Sequence, residues 1–285
     1  MISATIDIST SDEFTRAAPI SIGEEIIGAE HLQWMLGPVY VESINQVLDA
    51  ASSLSALGIP FIRSRAYWPS AKPEDFRCHL MSGLKVLRSA ADHFGLYVVS
   101  EVVTAEDVEV LYEYSDVLEV APERSIDIDL LNELGKVDKV VLLNRHPFMS
   151  LEQFLVCVQH LQRGGCSRLL LAEHGGTALN APNGNSFDLS SILALRRSTD
   201  CPVFLNCSRF SGGPKYIEEI VISAVAAGAH GILGDLLSAQ SYTYSSSALA
   251  PTQVRGLLQR SQAVKFTLNA IVQQRSQEPG SSQVA

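Results

Sequence analysis

The sequence predicts a (β/α)8 barrel, and two observations carry this prediction. Eight short apolar runs of strand length recur along the chain at intervals of roughly 30 residues, each followed by a helical pattern. Polar residues gather directly after these runs, as they do at the C-terminal mouth of a barrel. A doubly wound sheet is the alternative, but neither GxGxxG nor GxxxxGK(S/T) follows any of the runs.

The clearest repeat lies at residues 139–165. Residues 140–143 are continuously apolar, which is expected of a parallel strand that is buried on both faces. Polar residues and Pro147 end the strand, and Ser150 is the predicted N-cap of a helix. Apolar residues then recur at helical spacing until a pair of glycines ends the pattern. The segment therefore predicts a complete βα unit with its polar residues at the end of the strand.

The other repeats follow in chain order. Gly58, Gly95 and Gly228 each stand just after a helical pattern, where a left-handed residue commonly ends a helix. Thr104 is the predicted cap of the third helix. The other predicted strands are 31–36, 61–62, 96–102, 117–124, 168–173, 202–205 and 231–233. The other predicted helices with both ends defined are 41–57, 82–94, 217–227 and 253–274.

The barrel accounts for most of the chain as one domain. Residues 1–28 alternate in a way that predicts a β-hairpin extension, residues 29–275 form the barrel, and residues 276–285 form a disordered tail. Within the barrel, long loops are predicted at 66–78 and 174–185. Loops of this size in a compact domain are more often functional than incidental.

Composition and charge narrow the class of protein. The formal net charge of -10 disfavours nucleic acid and anionic membranes as partners, because both are polyanions. Five cysteines without a CxxC pair favour reduced thiols over a disulfide scaffold. The sequence shows neither a secretory leader nor an apolar run near the ~20 residues that span a bilayer. We therefore expect a soluble, cytoplasmic homo-oligomer that acts on a small molecule.

The polar residues after the predicted strands form the candidate site. Carboxylates at strand ends and histidines in neighbouring loops are residue types that act as acids and bases near neutral pH. The candidate catalytic residues are Glu101, His146, Glu173, His174, Cys207 and Asp235. Arginines and an amide near the same strand ends suit an anionic substrate. The candidate substrate-binding residues are Arg63, Arg65, Arg124, Asn144, Arg145 and Arg209.

Several of these assignments have a plainer alternative. The arginines could form ordinary ion pairs, and Cys207 could be a buried structural thiol rather than a nucleophile activated by Arg209. A recruited metal site would combine both candidate histidines with Glu173 and Asp235, but no tight ligand spacing supports it.

Two loops add further candidates. A Schiff-base lysine at Lys72 or Lys215 remains open, although no predicted strand ends in a lysine. Tyr67 and Trp68 lie in the loop after the second strand and are expected to line a pocket wall rather than to do chemistry.

Seven ordered segments of the chain resemble one enzyme family. The first five, LGPVYVES, RSRAYWP, VVSEV, VVLLNRH and LLLAEHG, are similar to its GPCxVES, KPRTSPY, TEV, VLLKRG and CERG motifs. The sixth segment, SFDLSSILALRRSTDCPVFLNCSRFSGG, is similar to its region from LDL to PVxDPSHxGG. The seventh, AVAAGAHGILGD, is similar to its AAGADG segment. The chain thus resembles the type I 3-deoxy-heptulosonate 7-phosphate (DAHP) synthases and their sugar-acid synthase relatives. This resemblance implies a barrel enzyme that condenses phosphoenolpyruvate with an aldose.

The resemblance also implies a divalent metal held by a cysteine, a histidine, a glutamate and an aspartate. The matching positions here carry Val39, Arg209, Asp235 and a serine near Ser246. Valine offers no lone pair and arginine repels a cation, so the family's metal site is not expected to form. We therefore predict neither a metal nor any other cofactor.

The implied phosphoenolpyruvate pocket is altered as well. Arg63 and Arg65 match the family's first lysine and arginine, whereas Asn144, His174 and Glu123 replace a lysine and two arginines. This lowers the positive charge that a phosphate-carboxylate substrate needs. We expect a metal-independent barrel enzyme with aldol, transferase or lyase-type chemistry on a small anionic or carbonyl substrate in a specialised pathway. The alternatives are a non-catalytic homologue that binds a metabolite or a partner protein, and a retained condensation with altered ligands.

Overall fold

A computed structural model of the chain describes residues 17–28, 30–66, 80–177, 185–208, 216–241 and 247–277. Within these ranges, eight parallel strands close into a barrel, which confirms the predicted fold class. The strands follow one another around the barrel in chain order, and the last pairs with the first. The described strands are β1 (Ile20–Ile22), β2 (Glu25–Ile27), β3 (Gln33–Gly37), β4 (Phe61–Ser64), β5 (Tyr97–Val102), β6 (Val117–Val120), β7 (Val140–Asn144), β8 (Leu169–Glu173), β9 (Gly176–Thr177), β10 (Asn185–Ser186), β11 (Val203–Asn206) and β12 (Gly231–Asp235).

Helices lie between and after the barrel strands. Those in the described ranges are α1 (Ile44–Leu57), α2 (Leu80–Phe94), α3 (Val108–Tyr114), α4 (Ile128–Gly135), α5 (Leu151–Gly164), α6 (Leu189–Ser198), α7 (Ile217–Ala226) and α8 (Pro251–Gln277). The bounds of α4 and α6 were not predicted, yet both helices begin at an aspartate N-cap, Asp127 and Asp188. Each aspartate side chain accepts a backbone N–H of the first turn, which satisfies a donor that the helix itself leaves unpaired.

The other helix ends follow their sequence signals. Ser150 Oγ accepts the N–H of Gln153 at 3.2 Å, and Gln153 Oε1 accepts the N–H of Ser150 at 2.9 Å, which closes a capping box at the start of α5. Gly58, Gly95 and Gly165 follow α1, α2 and α5 with φ of 69°, 68° and 114°. Residues with a Cβ are strained at such positive φ values, so glycine ends these helices.

Alternation along the barrel strands divides their residues between two cores. One set points into the barrel and includes Phe61, Val99 and Leu142. The next residue along the strand, such as Ile62 or Leu143, points outward and packs in the core between barrel and helices. The same period of two continues to the C-terminal strand ends, where polar side chains take the inward positions.

The predicted hairpin is present as β1 and β2, and it closes the N-terminal end of the barrel. Ile20, Ile22 and Ile27 pack against the apolar residues inside the barrel. The hydroxyl of Tyr97, at the start of β5, accepts the N–H of Glu24 at 2.9 Å. This arrangement leaves the C-terminal end of the barrel as the place for a site.

Some predictions for the chain ends fall outside the described residues. These are the alternating stretch at residues 4–8 and most of the tail at 276–285, whose first two residues instead extend α8. In the part of the chain that the structure describes, no helix combines the length and the apolar character needed to cross a membrane.

Candidate active site at the barrel mouth

A cavity of about 180 Å³ lies at the C-terminal end of the barrel strands. The ends of most barrel strands, or the residues directly after them, contribute to its wall. Its charged lining residues are Arg63, Arg65, Glu101, Glu119 and Asp235. Its other polar lining residues are Tyr40, Ser64, His174, Asn206 and Ser208. The cavity therefore combines arginines, carboxylates and a histidine in one small space.

Strand alternation explains which predicted residues reach the cavity. Arg63 and Glu101 each stand two residues after an inward-facing apolar residue of the same strand, Phe61 and Val99. Asp235 has the same relation to Leu233 on β12. The predicted residues that the structure brings together at the cavity are Arg63, Arg65, Glu101, His174 and Asp235.

Arg63 forms the best-defined ion pair of the mouth, with Glu119 on β6. Nε and Nη2 of Arg63 donate to the two carboxylate oxygens of Glu119 at 2.6 and 2.7 Å. Nη1 of Arg63 lies 3.4 Å from Oδ1 of Asp235. Burial alone would raise the pKa of the Glu119 carboxyl, but Arg63 and a hydrogen bond from Asn144 hold it below its usual range. Glu119 therefore carries a fixed negative charge.

A chain of buried amides supports this pair from below the cavity. Nδ2 of Asn144 donates to Glu119 at 2.9 Å and to the carbonyl of Val120 at 3.0 Å. Oδ1 of Asn144 accepts from Asn206 at 2.8 Å, and Asn206 in turn accepts the N–H of Ser208. Asn144 was predicted to bind substrate, but its side chain is buried and its amide is engaged in hydrogen bonds with Glu119 and Asn206.

Sequence reasoning did not select Glu119 as a site residue. Its signal was the alternation on β6, where Glu119 stands two residues after the inward-facing Val117. The same rule identifies Asn206, two residues after the inward-facing Phe204 on β11. The period of two along these strands therefore identifies both positions in the sequence.

Arg65 forms a second, more exposed ion pair with Glu101. Its Nε lies 2.5 Å from Oε2 of Glu101, and its Nη1 donates to the Tyr40 hydroxyl at 3.1 Å. Burial raises the pKa of Glu101 to about 7, with the like charge of Glu119 adding to the shift and Arg65 opposing it. The Glu101 carboxyl is therefore able to change its protonation state near neutral pH.

Two predicted residues, Arg145 and Glu173, form an ion pair on the outer side of the barrel. Both carboxylate oxygens of Glu173 accept from Arg145 at 2.7 Å, and Arg145 also donates to the carbonyl of Met149. They follow the outward positions of Leu143 and Leu171, so the same alternation that brings Glu101 inward turns them away. The expectation that Glu173 and Arg145 face the mouth is corrected accordingly.

Cys207 is also turned away from the mouth. It continues the outward series of Val203 and Leu205, its side chain is buried, and its thiol donates to the carbonyl of Leu233 at 3.0 Å. Burial raises the pKa of the Cys207 thiol to about 12. A thiol that is almost wholly protonated and inaccessible does not suit a nucleophile, so the structural alternative replaces the catalytic one.

The other predicted residues do not line the cavity or lie outside the described residues. His146 sits in the loop after β7, where its Nδ1 accepts the N–H of Phe148 at 3.2 Å. Arg124 is a partly exposed partner of Asp127 at 3.4 Å, and Glu123 is exposed. The positions outside the described residues are Tyr67, Trp68, Lys72, Arg209, Lys215 and Ser246.

The described donors do not fit the metal that the family resemblance implies. Val39 lines the cavity with an aliphatic side chain, and Asp235 has the guanidinium of Arg63 beside it. Among the residues that the structure describes, no group of three or more His, Cys, Asp or Glu side chains is arranged to hold a metal ion. A cation next to Asp235 would have to share its carboxylate with an arginine, which opposes its binding.

Comparison with known proteins places the chain among relatives with this fold. The model of the DAHP synthetase I family matches residues 8–247. A Thermotoga maritima relative named phospho-2-dehydro-3-deoxyheptonate aldolase is 30% identical over 214 residues, which are 75% of this chain and 63% of the relative. This chain therefore spans less than two thirds of that relative. An Acidithiobacillus ferrooxidans relative named 2-dehydro-3-deoxyphosphooctonate aldolase is 27% identical over 216 residues, which are 70% of this chain and 76% of the relative.

Solved structures agree with the sequence matches. A truncated 3-deoxy-D-arabino-heptulosonate 7-phosphate synthase from Thermotoga maritima superposes with a TM-score of 0.80 at 25% identity, covering 89% of this chain and 94% of that one. A phospho-2-dehydro-3-deoxyheptonate aldolase (DAHP synthase) from the same organism gives 0.83 at 27% identity, covering 89% and 75%. The ordered motifs, the barrel and these matches lead to one conclusion: the chain belongs to the DAHP synthetase I family.

Proposed function

We propose that this chain is a DAHP synthase-like barrel enzyme that carries out carbon–carbon bond chemistry on a small carbonyl substrate, without a divalent metal, in a specialised biosynthetic pathway. The observation that carries the proposal is the buried Glu101 carboxyl in the mouth cavity, 2.5 Å from Arg65. A pKa of about 7 suits a group that takes and returns a proton near neutral pH. The relatives' names, which are those of aldolases, support this class of chemistry.

Aldol-type chemistry assigns a role to each group around Glu101. A base removes a proton from the carbon next to a carbonyl group, and the resulting enolate attacks a second carbonyl carbon. Glu101 takes this proton and later returns it to the alkoxide oxygen that the attack creates. Arg65, which contacts Glu101, is a cation for the negative enolate oxygen, and the Tyr40 hydroxyl, which contacts Arg65, is a donor for it.

The charge of the cavity favours a carbonyl substrate over phosphoenolpyruvate. Two arginines and three carboxylates line the described part of the cavity, and each arginine is already in an ion pair. A substrate with both a phosphate and a carboxylate needs several uncompensated cationic partners. The departure from the family's cationic pocket is what supports a different substrate and a specialised pathway.

A non-catalytic homologue that binds a metabolite is the second candidate. The observation that favours it is the ion pairing itself, since Arg63 and Arg65 both have carboxylate partners that hold them within the protein. In that case Glu101 would serve only to neutralise Arg65 and would not exchange protons with a ligand.

Proton exchange with solvent separates the two candidates without knowledge of the second substrate. Pyruvate and other small 2-oxo acids or ketones are incubated with the protein in D2O, and loss of the C–H signal next to the carbonyl is followed by proton NMR. We expect catalysed exchange with at least one of these compounds. Glu101→Gln should lower its rate roughly 100-fold or more, the usual contribution of a general base.

Two comparisons make this experiment decisive. Glu133→Gln, which alters a surface carboxylate paired with Lys136, should leave exchange unchanged. Phosphoenolpyruvate with erythrose 4-phosphate should give condensation far below the ~1 per second that is ordinary for enzymes. Exchange that is absent with every compound would decide for the non-catalytic candidate, and exchange that persists in Glu101→Gln would reject Glu101 as the base. Rapid condensation would instead restore the reaction of the family.

A further inference from the structure

The two arginines of the mouth differ in how firmly they are neutralised. Arg63 has two hydrogen bonds to Glu119 and a second carboxylate, Asp235, at 3.4 Å, and its side chain is 14% exposed. Arg65 meets Glu101 through Nε alone, and its side chain is 26% exposed. An incoming anion therefore finds Arg65 both more accessible and less completely compensated than Arg63.

Of the two glutamates in the mouth, Glu101 is more easily neutralised by a proton than Glu119. It is buried on β5 between charged groups of both neighbouring strands, with Arg63 on β4, Arg65 directly after β4, and Glu119 on β6. Glu119 is fixed in its ionised form by Arg63 and Asn144, so its charge repels any negative charge on Glu101. An anion placed on Arg65 adds a second repulsion and withdraws the cation that stabilises ionised Glu101.

The size of the cavity suits a small ligand. The described part of the cavity has a volume of about 180 Å³. A monocarboxylic acid of three or four carbon atoms fits in this volume. The cavity's two arginines and three carboxylates sum to one negative charge when Glu101 is ionised, and balance when Glu101 is protonated.

We propose that the mouth takes up a small monocarboxylate at Arg65 together with one proton, which binds to Glu101. The bound carboxylate replaces Glu101 as the partner of Arg65, and the protonated Glu101 remains as a neutral hydrogen-bond donor beside it. Removal of a carbon-bound proton, as in the proposed function, requires that Glu101 first lose this proton, so exchange proceeds only from the ionised fraction of the complex. The proton comes from the solvent, so that the ligand and the proton enter as an electrically neutral pair. This inference rests on the proposed function for the choice of a 2-oxo acid as ligand, but it concerns binding alone.

Calorimetry on the wild-type protein tests the proposal directly. Pyruvate is titrated into the protein in two buffers with different ionisation enthalpies, and the difference in binding heat gives the number of protons taken up. We expect roughly 0.9 proton per pyruvate at about pH 8 and roughly 0.1 at about pH 6, because free Glu101 is mostly ionised at the higher pH. The dissociation constant should rise nearly tenfold per pH unit above about pH 7.

Variants identify the groups involved. Glu101→Gln should bind pyruvate without proton uptake and with an affinity that no longer falls above about pH 7, and Arg65→Ala should abolish binding. Glu133→Gln should behave as the wild type. Pyruvate that binds without proton uptake at about pH 8, or that fails to bind at millimolar concentration, would overturn the proposal. Proton-coupled binding with no exchange of pyruvate hydrogens in D2O would leave this inference intact and reject only the catalytic role.

Discussion

Arg63 on β4 and Glu119 on β6 are joined across β5 by two hydrogen bonds of 2.6 and 2.7 Å, so that one ion pair bridges three neighbouring strands of the barrel mouth. The Glu119 side chain is only 2% exposed, and Asn144 holds its carboxylate from β7. The pair is therefore buried and held in place by neighbouring side chains rather than exposed on a solvated surface. Because Arg63 is held in this pair, the arginines of the mouth do not form a simple anion-binding site.

We predict that Glu119→Gln lowers the free energy of unfolding by roughly 3 kcal/mol, because removing one partner of a buried pair leaves the other charge poorly compensated. Urea unfolding followed by circular dichroism measures this change. Glu133→Gln is the matched control, since its exposed pair with Lys136 is worth at most about 1 kcal/mol. Equal losses in both variants would show that the buried pair contributes nothing beyond a surface pair.

The metal content of the protein is the second prediction. Val39 offers no lone pair and Asp235 lies against Arg63, so protein purified without a chelator should carry less than about half an equivalent of Mn, Fe, Co or Zn. Elemental analysis by mass spectrometry measures this content, and Asp235→Asn should not change it. A full equivalent of metal that disappears in Asp235→Asn would contradict the prediction.

The third prediction concerns acid stability and the buried His230. Its Nδ1 accepts the N–H of Val203 at 2.9 Å, and burial, with Lys265 and Arg196 nearby, lowers its pKa to about 3. An unfolded histidine takes up a proton below about pH 6.5, whereas the folded one resists until about pH 3. The contribution of neutral His230 to the free energy of unfolding is thus fully present above about pH 6.5 and falls as the pH falls. The loss is on the order of 2 kcal/mol by about pH 5.

Comparison with His230→Asn isolates this effect. The asparagine oxygen replaces Nδ1 as the acceptor for Val203 but does not titrate, so the variant should lose less stability between about pH 6.5 and 5. The raised pKa of Glu101 acts with the opposite sign, because it favours the folded state as the pH falls, and it cancels in the comparison. His160→Asn, at a histidine that contacts Asn132 on the outer surface, should keep the acid loss of the wild type. Identical pH profiles for His230→Asn and the wild type would exclude the predicted role of His230.

The fourth prediction concerns the thiol of Cys207. Because burial raises its pKa to about 12 and its side chain is inaccessible, iodoacetamide at about pH 8 should label Cys207 at least ~100-fold more slowly in the folded protein than in urea. Mass spectrometry of the peptide that contains Cys207 measures both rates, and the unfolded sample is the internal control. Labelling of the folded protein at a rate near that of the unfolded one would restore Cys207 as a candidate nucleophile.

The sequence by itself determined the repeated βα architecture and the polar end of the barrel. Buried parallel strands must be apolar on both faces, and helices must begin and end with particular residues, so local signals such as Ser150 and Gly58 predicted their elements correctly. The rule that strand ends converge on one mouth also sufficed to bring Arg63, Glu101 and Asp235 together.

Only the tertiary structure decided which partner each charge has. Arg63 and Glu119 are 56 residues apart in sequence, and nothing at either position predicts the other as its partner before the strands close into a barrel. Arg145 and Glu173 stand at strand ends like Glu101, yet one residue of register turns them to the outer core, because successive strand residues point to opposite faces. The ion pairs at the mouth, and with them the pKa of Glu101, depend on distances between strands. These distances cannot be read from the sequence.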